Sequence, residues 1–151
     1  MKVIEKLIFV DNQGNERAAM AKAIFEEEYG SQEIVAEARG LVVLFSQPIN
    51  QKVKVLLAGD GLDIDGFVSR ELKESDFSDT TLILTMESRQ KESILKKFPH
   101  AMHVEVLTDI TGDELEIMDP YGGELPMYGL CYQSLRIIIK KLAILLSKGE
   151  K

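Results

Sequence analysis

Short apolar runs alternate with amphipathic stretches along the whole chain, and this alternation restricts the possible folds more than any other feature. Lys6-Leu7-Ile8-Phe9-Val10 is a short apolar run that enters a polar loop, the pattern of a buried strand. Arg17 to Tyr29 then places Met20, Ala21, Ile24 and Phe25 on one helical face, with Glu26, Glu27 and Glu28 after them and Gly30 as a stop. A second strand is expected within Ile34 to Phe45, broken or kinked near Arg39-Gly40. Asn50 to Ala58 has helical spacing through Val53, Leu56 and Leu57, closed by Gly59 or Gly61. Leu82-Ile83-Leu84-Thr85-Met86 reads as a buried strand and His103 to Leu107 as a fourth. Between them, Glu87 to Phe98 reads as a helix with Ile94, Leu95 and Phe98 inward and Pro99 as its stop. Glu114 to Pro126 is a loop rich in Gly, Pro and Asp. Met127 to Leu146 is the last helix, with Cys131, Leu135, Ile138, Leu142 and Leu145 spaced for one apolar stripe.

Strands that alternate with helices imply a parallel sheet covered on both faces, so the expected class is α/β with a four-stranded parallel sheet. A length of 151 residues, 45% of them hydrophobic, suits one domain spanning 1–151 with a full core. In such sheets ligands sit beyond the carboxyl ends of the strands, which puts the loop from Asp11 to Arg17 at the active edge. A formal charge of −7 and a pI near 4.9 argue against nucleic acid or an anionic membrane as the main partner. No apolar run approaches the roughly 20 residues of a membrane span, and MKVIEKLIFVD has no cleavage-site chemistry after its apolar run. The single cysteine, Cys131, fits a reducing cytoplasm and falls on the apolar stripe of the last helix, where a buried core role is expected.

A strand that passes to a helix through a loop with glycine and a late arginine usually holds an anion. This loop carries two carboxylates of its own, Asp11 and Glu16. Elsewhere the sequence offers little chemistry. Asp60-Gly61-Leu62-Asp63-Ile64-Asp65-Gly66 lacks the oxygen spacing and closing glutamate of a calcium loop and reads as a helix-to-helix turn with a capping aspartate. His100 and His103 flank a strand start without further zinc ligands. Glu26-Glu27-Glu28 reads as a solvated helix end. Tyr121 and Tyr128 suit either a binding lip or turn packing.

The order of features resembles the low-molecular-weight protein tyrosine phosphatase family over nearly the whole chain. That family opens with a strand and a Cys-x5-Arg loop followed by Ser-Pro-Met-Ala-Glu-Ala; here the register gives Asp11-x5-Arg17 and then Ala18-Ala19-Met20-Ala21-Lys22-Ala23. Ala36-Glu37-Ala38-Arg39-Gly40-Leu41, Ser69-Arg70-Glu71-Leu72, Asp79-Thr80-Thr81-Leu82-Ile83-Leu84-Thr85-Met86 and Ile117-Met118-Asp119-Pro120-Tyr121 follow in the family's order. The resemblance implies a flavodoxin-like fold with no cofactor. It places Arg17 at the phosphate-gripping position, Asp119 at the general acid, and Gly14, Asn15 and Tyr121 among substrate-binding positions. It also places Asp11 where the nucleophilic thiol belongs, Ala18 where a thiolate-stabilising serine belongs, and Gln13 at a site that usually needs glycine. A response-regulator receiver is a poorer fit, because the third strand ends in Thr85-Met86-Glu87 rather than at an aspartate.

A carboxylate about 4 Å from a phosphate dianion repels it by roughly 8 kcal/mol at an effective dielectric near 20, more than one arginine returns. One reading therefore has Asp11 accept the loop N–H groups and pair with Arg17, filling the pocket with its own side chain. A second reading keeps the degraded pocket for a cationic or neutral group, with the chain a partner-binding regulator; in both the expected protein is a pseudophosphatase, and the expected partner is a phosphoprotein or another protein. The alternative reading makes Asp11 a carboxylate nucleophile, with Asp11, Glu16 and Asp119 offering oxygens to Mg²⁺. Their spacing carries no recognised metal signature.

Overall fold

The computed structural model describes residues 3–30, 33–62 and 64–149. The chain forms β1 (Lys6–Asp11), α1 (Arg17–Tyr29), β2 (Val35–Gly40) and α2 (Gln51–Gly59), then a 3-10 turn at Glu74–Asp76. It continues through β3 (Thr81–Thr85), α3 (Ser88–Lys97), β4 (Val104–Val106), a short α4 (Leu107–Thr111) and the long α5 (Leu125–Gly149). The sheet runs in the order β2-β1-β3-β4, and every pairing is parallel. That order follows the flavodoxin-like doubly wound pattern.

β1 is central, with Phe9 opposite Ala38 on one side and Leu84 on the other. Leu7, Ile8, Phe9 and Val10 are fully buried, which explains why the run is continuously apolar rather than alternating. Leu7, Phe9, Leu82 and Leu84 join α1, α2 and α5 in the larger core. Ile8, Val10, Ile83 and Val104 meet Ile94 of α3, with Leu72 and Phe98, on the other face. Helices thus cover both faces. Ala18, Ala19, Ala21 and Ala23 are buried, and such small side chains let α1 lie close against the sheet and α5.

The structure departs from the expected elements in particular places. Leu95 is 50% exposed and Leu145 is 45% exposed, so neither points inward. Each sits just beyond the arc of its helix that the domain covers. His103 takes a left-handed φ of 55°, which delays the fourth strand to Val104. Leu107 turns out to begin a helix, α4, which closes on Gly112 in the left-handed conformation. The last helix starts at Leu125 rather than Met127, because a proline in the first turn gives up only an N–H that has no helical partner. After α2 a turn forms with Gly61 at φ of 73°, but Asp60 closes the helix through its backbone N–H while its side chain accepts from Tyr132. The chain then runs on to a bridge at Val68 rather than directly into another helix. Asp63 lies outside the described residues.

Candidate functional site

The site forms where β1 hands the chain to α1. Asp11 is the last residue of the strand, and the loop 12–16 curls over its side chain. Gly14 adopts φ of 83°, and a Cβ there would lie 2.8 Å from the Gly40 nitrogen. A Cβ on Gly40 would in turn lie 2.5 Å from the Gln13 carbonyl carbon, so loop and β2 touch backbone to backbone. The left-handed residue of the loop is therefore Gly14. Gln13, at the position where the family register usually has glycine, takes no positive φ.

Asp11 is buried, 3% exposed, and one carboxylate oxygen accepts the Gly14 N–H while the other accepts the Ala18 N–H at 3.0 Å. Burial raises its pKa above the usual carboxylate range despite these two donors and the nearby Arg17. Two N–H groups at this loop, those of Gly14 and Ala18, are thus taken by the protein itself.

Arg17 is 1% exposed and directed elsewhere. Its Nη1 donates to the Ile117 carbonyl at 2.8 Å and lies 2.8 Å from Glu87 Oε2, while Nη2 lies 3.7 Å from Asp119 Oδ2. Among the described residues its ion pairs run to Glu87 and Asp119, so the expected direct pairing with Asp11 is replaced by these. Glu87 Oε2 sits within ion-pair range of Arg17 without a well-directed hydrogen bond. Partial burial acts to raise the Glu87 carboxyl, but Arg17 and Arg89 outweigh it and hold the group below its usual range.

Glu16 points inward, 7% exposed, and its Oε2 accepts Asn50 Nδ2 at 3.0 Å and the Tyr128 hydroxyl at 3.1 Å. Burial raises its pKa against the Tyr128 hydrogen bond, and Asp11 and Asp119 raise it further. The Tyr128 hydroxyl is pushed up to about 12 by burial and by Glu16. Asp119 accepts the Tyr121 N–H at 3.0 Å and Asn12 Nδ2 at 3.4 Å, which anchors the Asp-Pro turn over the loop. Asn12 is held from behind by Gln90 Nε2 at 3.0 Å, and Gln90 Oε1 caps the Met86 and Glu87 N–H groups.

Asp11, Asn12, Gln13, Glu16, Arg17, Asp119 and Tyr121 line a pocket of about 200 Å³. Three carboxyl groups face one guanidinium there, so the pocket favours a cation or a neutral group over a dianion. Of the other expected positions, Gly14 spends its N–H on Asp11, and Asn15 lines the neighbouring groove with Leu41, Leu44 and Phe45. Tyr121 is 67% exposed at the lip, whereas Tyr128 is buried and serves Glu16. Cys131 is fully buried, with its thiol pushed up to about 12 by desolvation, as a core cysteine should be. Among the described residues no three His, Cys, Asp or Glu side chains are grouped to hold a metal ion. Glu87, Gln90 and Asn50 are the contributors that sequence reading missed, and Tyr128 was singled out without its partner Glu16. Only Glu87 had a signal, as a charged residue just beyond the carboxyl end of a strand.

The profile of the family described as low molecular weight phosphotyrosine protein phosphatase matches residues 6–151. The chain belongs to this family. The low molecular weight protein-tyrosine-phosphatase PtpB of Staphylococcus aureus is 30% identical over 137 residues, covering 91% of this chain and 96% of that protein. The structure of a low molecular weight protein tyrosine phosphatase from T. tengcongensis is 27% identical with a TM-score of 0.81, covering 91% of this chain and 96% of that one. The YwlE arginine phosphatase from Geobacillus stearothermophilus, at 24% identity, shares the fold with a TM-score of 0.89 over 97% of this chain and 95% of its own. Members of the low-molecular-weight phosphatase family are cofactor-independent thiol phosphatases, which agrees with the expectation of no cofactor. No helix among the described residues is long and apolar enough to cross a membrane.

Proposed function

We propose that this chain is a degenerate member of its family, a pseudophosphatase that works in the cytoplasm by binding a protein partner. The observation that carries this reading is the Asp11 carboxylate, which fills the loop and accepts the N–H groups of Gly14 and Ala18. In this reading Asp11 stands at the nucleophile position, Ala18 at the supporting serine, Arg17 at the phosphate grip and Asp119 at the general acid. Two of these four retain their chemistry, and both are tied up in the resting protein by Ile117, Glu87 and each other. The partner group that such a pocket admits is cationic or neutral.

A gain-of-function experiment tests the reading. Asp11→Cys combined with Ala18→Ser returns a thiol to a loop whose Gly14 and Gly40 packing is in place, and it should acquire aryl phosphate turnover that the unaltered protein lacks. A double variant as inert as its parent would mean that the loop, and not the lost thiol, is what prevents catalysis.

A further inference from the structure

Helix α5 carries two apolar faces, and the domain covers one of them. Cys131, Leu135, Ile138, Ile139 and Leu142 are buried against the body of the protein. On the opposite side Leu130, Ile137 and Ile144 are 55%, 62% and 49% exposed. They recur every seventh residue and so form a line along the helix, with steps of about 10 Å. Single exposed aliphatics are ordinary on any surface, but three in register on one face form a seam.

The charge around the seam is one-sided. Leu125–Gly149 contains Arg136, Lys140, Lys141 and Lys148 and no Asp or Glu, in a chain whose net charge is −7. Arg136 is held by Glu27 and Lys141 by Asp113. Lys140 and Lys148 are exposed and have no ion pair among the described residues. A second copy of this face would set cations against cations with no carboxylate on either helix to pair with them. A bilayer would ask for a broader apolar face with an aromatic rim, and the strongly negative remainder of the molecule would be held off an anionic surface. A seam with heptad spacing is what another helix packs against, knobs into holes.

We propose that this face docks an acidic amphipathic helix of a partner protein. The partner's apolar residues lie along Leu130, Ile137 and Ile144, and its carboxylates pair with Lys140 and Lys148. The surface lies outside the pocket, so the proposal stands whether or not the pocket hydrolyses phosphate.

Fluorescence anisotropy with two designed helical peptides of roughly three heptads tests it, both with Leu and Ile at the seam positions. One carries Glu at the flanking positions and the other carries Lys. The Glu peptide should bind saturably and more weakly as salt rises, and the Lys peptide should not bind. Ile137→Glu should weaken the Glu peptide by at least about tenfold. Lys140→Glu with Lys148→Glu, which leaves the apolar line untouched, should weaken it as well and remove the salt dependence. Thermal melts of both variants should match the parent, since all three positions are exposed. The proposal is overturned if neither peptide binds, if both bind alike, or if Ile137→Glu leaves binding unchanged. It is equally overturned if Ile137→Glu abolishes binding to phosphatidylserine vesicles, which assigns the face to lipid, or abolishes self-association in sedimentation, which assigns it to a second copy.

Discussion

Arg17 is enclosed by acceptors, and its guanidinium is neutralised before any ligand arrives. Removing one partner of a buried ion pair leaves the other charge uncompensated, at a cost of about 3–5 kcal/mol. Arg17→Ala should therefore lower stability to urea by about that amount, because Glu87 loses its counter-ion and the Ile117 carbonyl its donor. A loss below about 1 kcal/mol would mean that Arg17 is held loosely and free to bind anions. Asp11 and Glu16 make a prediction about pH. Burial raises both pKa values above the ordinary 3.8 and 4.5, so their contribution to stability is fully present below those values and is lost as pH rises through the raised ones. Glu87 and Asp113 act in the opposite sense, since their lowered values make their contribution disappear as pH falls through them. Above the ordinary values the first pair governs the slope, and stability should decline as pH rises through their raised pKa values. Glu16→Gln keeps an oxygen for Asn50 and Tyr128 and removes the titration, so chemical unfolding of this variant should show a flatter decline. An unchanged slope would remove Glu16 from the account.

The loop, β2 and α2 hold one another by backbone contact and capping. Gly40→Ala would drive a Cβ to 2.5 Å from the Gln13 carbonyl carbon, whereas Gly30, which is left-handed, faces open space. Gly30→Ala should therefore cost only the conformational penalty of about 1–2 kcal/mol. Gly40→Ala, with an ordinary φ but no room, should cost more and should also disturb the loop, visible as shifted amide resonances of residues 12–18. Asn50 caps α2 by accepting the Lys52 and Val53 N–H groups and also donates to Glu16, so Asn50→Ala should cost about 1–2 kcal/mol in thermal unfolding. At this scale the sequence was informative where periodicity runs long. β1, α1, α2 and β3 follow directly from apolar runs and stops. It was less informative where a single turn decides the outcome. The helical turn at Leu107 and the left-handed His103 depend on how the chain leaves β4 to pack α4 against α5, and no local pattern announces them. Leu95 and Leu145 mislead for a related reason, since periodicity shows that a face is apolar but not how far its neighbours extend around it.

Across the whole molecule the site is an assembly of distant segments. Arg17 reaches Ile117, Glu16 reaches Tyr128 and Asn12 reaches Gln90, all contacts that exist only once the sheet and α5 have closed. The positions of Asp11, Arg17 and Asp119 were legible because they sit in motifs at fixed spacing. Their partners were not, because nothing local links Glu16 to a tyrosine at the far end of the chain. The net charge of −7 acts on top of this local arrangement, since a dianion approaches against the field of the molecule and then meets Asp11 and Glu16. Calorimetric titration with inorganic phosphate should accordingly show no saturable binding to the unaltered protein. Asp11→Ala, which removes one charge and frees the Gly14 and Ala18 amides, should gain binding. Saturable binding to both proteins alike would show that Asp11 does not close the cradle.

The most direct test of the central claim is hydrolysis of a small aryl phosphate by the unaltered protein, measured with Mg²⁺ and again with chelator. With the Gly14 and Ala18 amides occupied by Asp11 and no thiol within reach, turnover should stay at the buffer rate under both conditions. Turnover that requires the metal and disappears in Asp11→Asn would make Asp11 a working nucleophile and contradict the account.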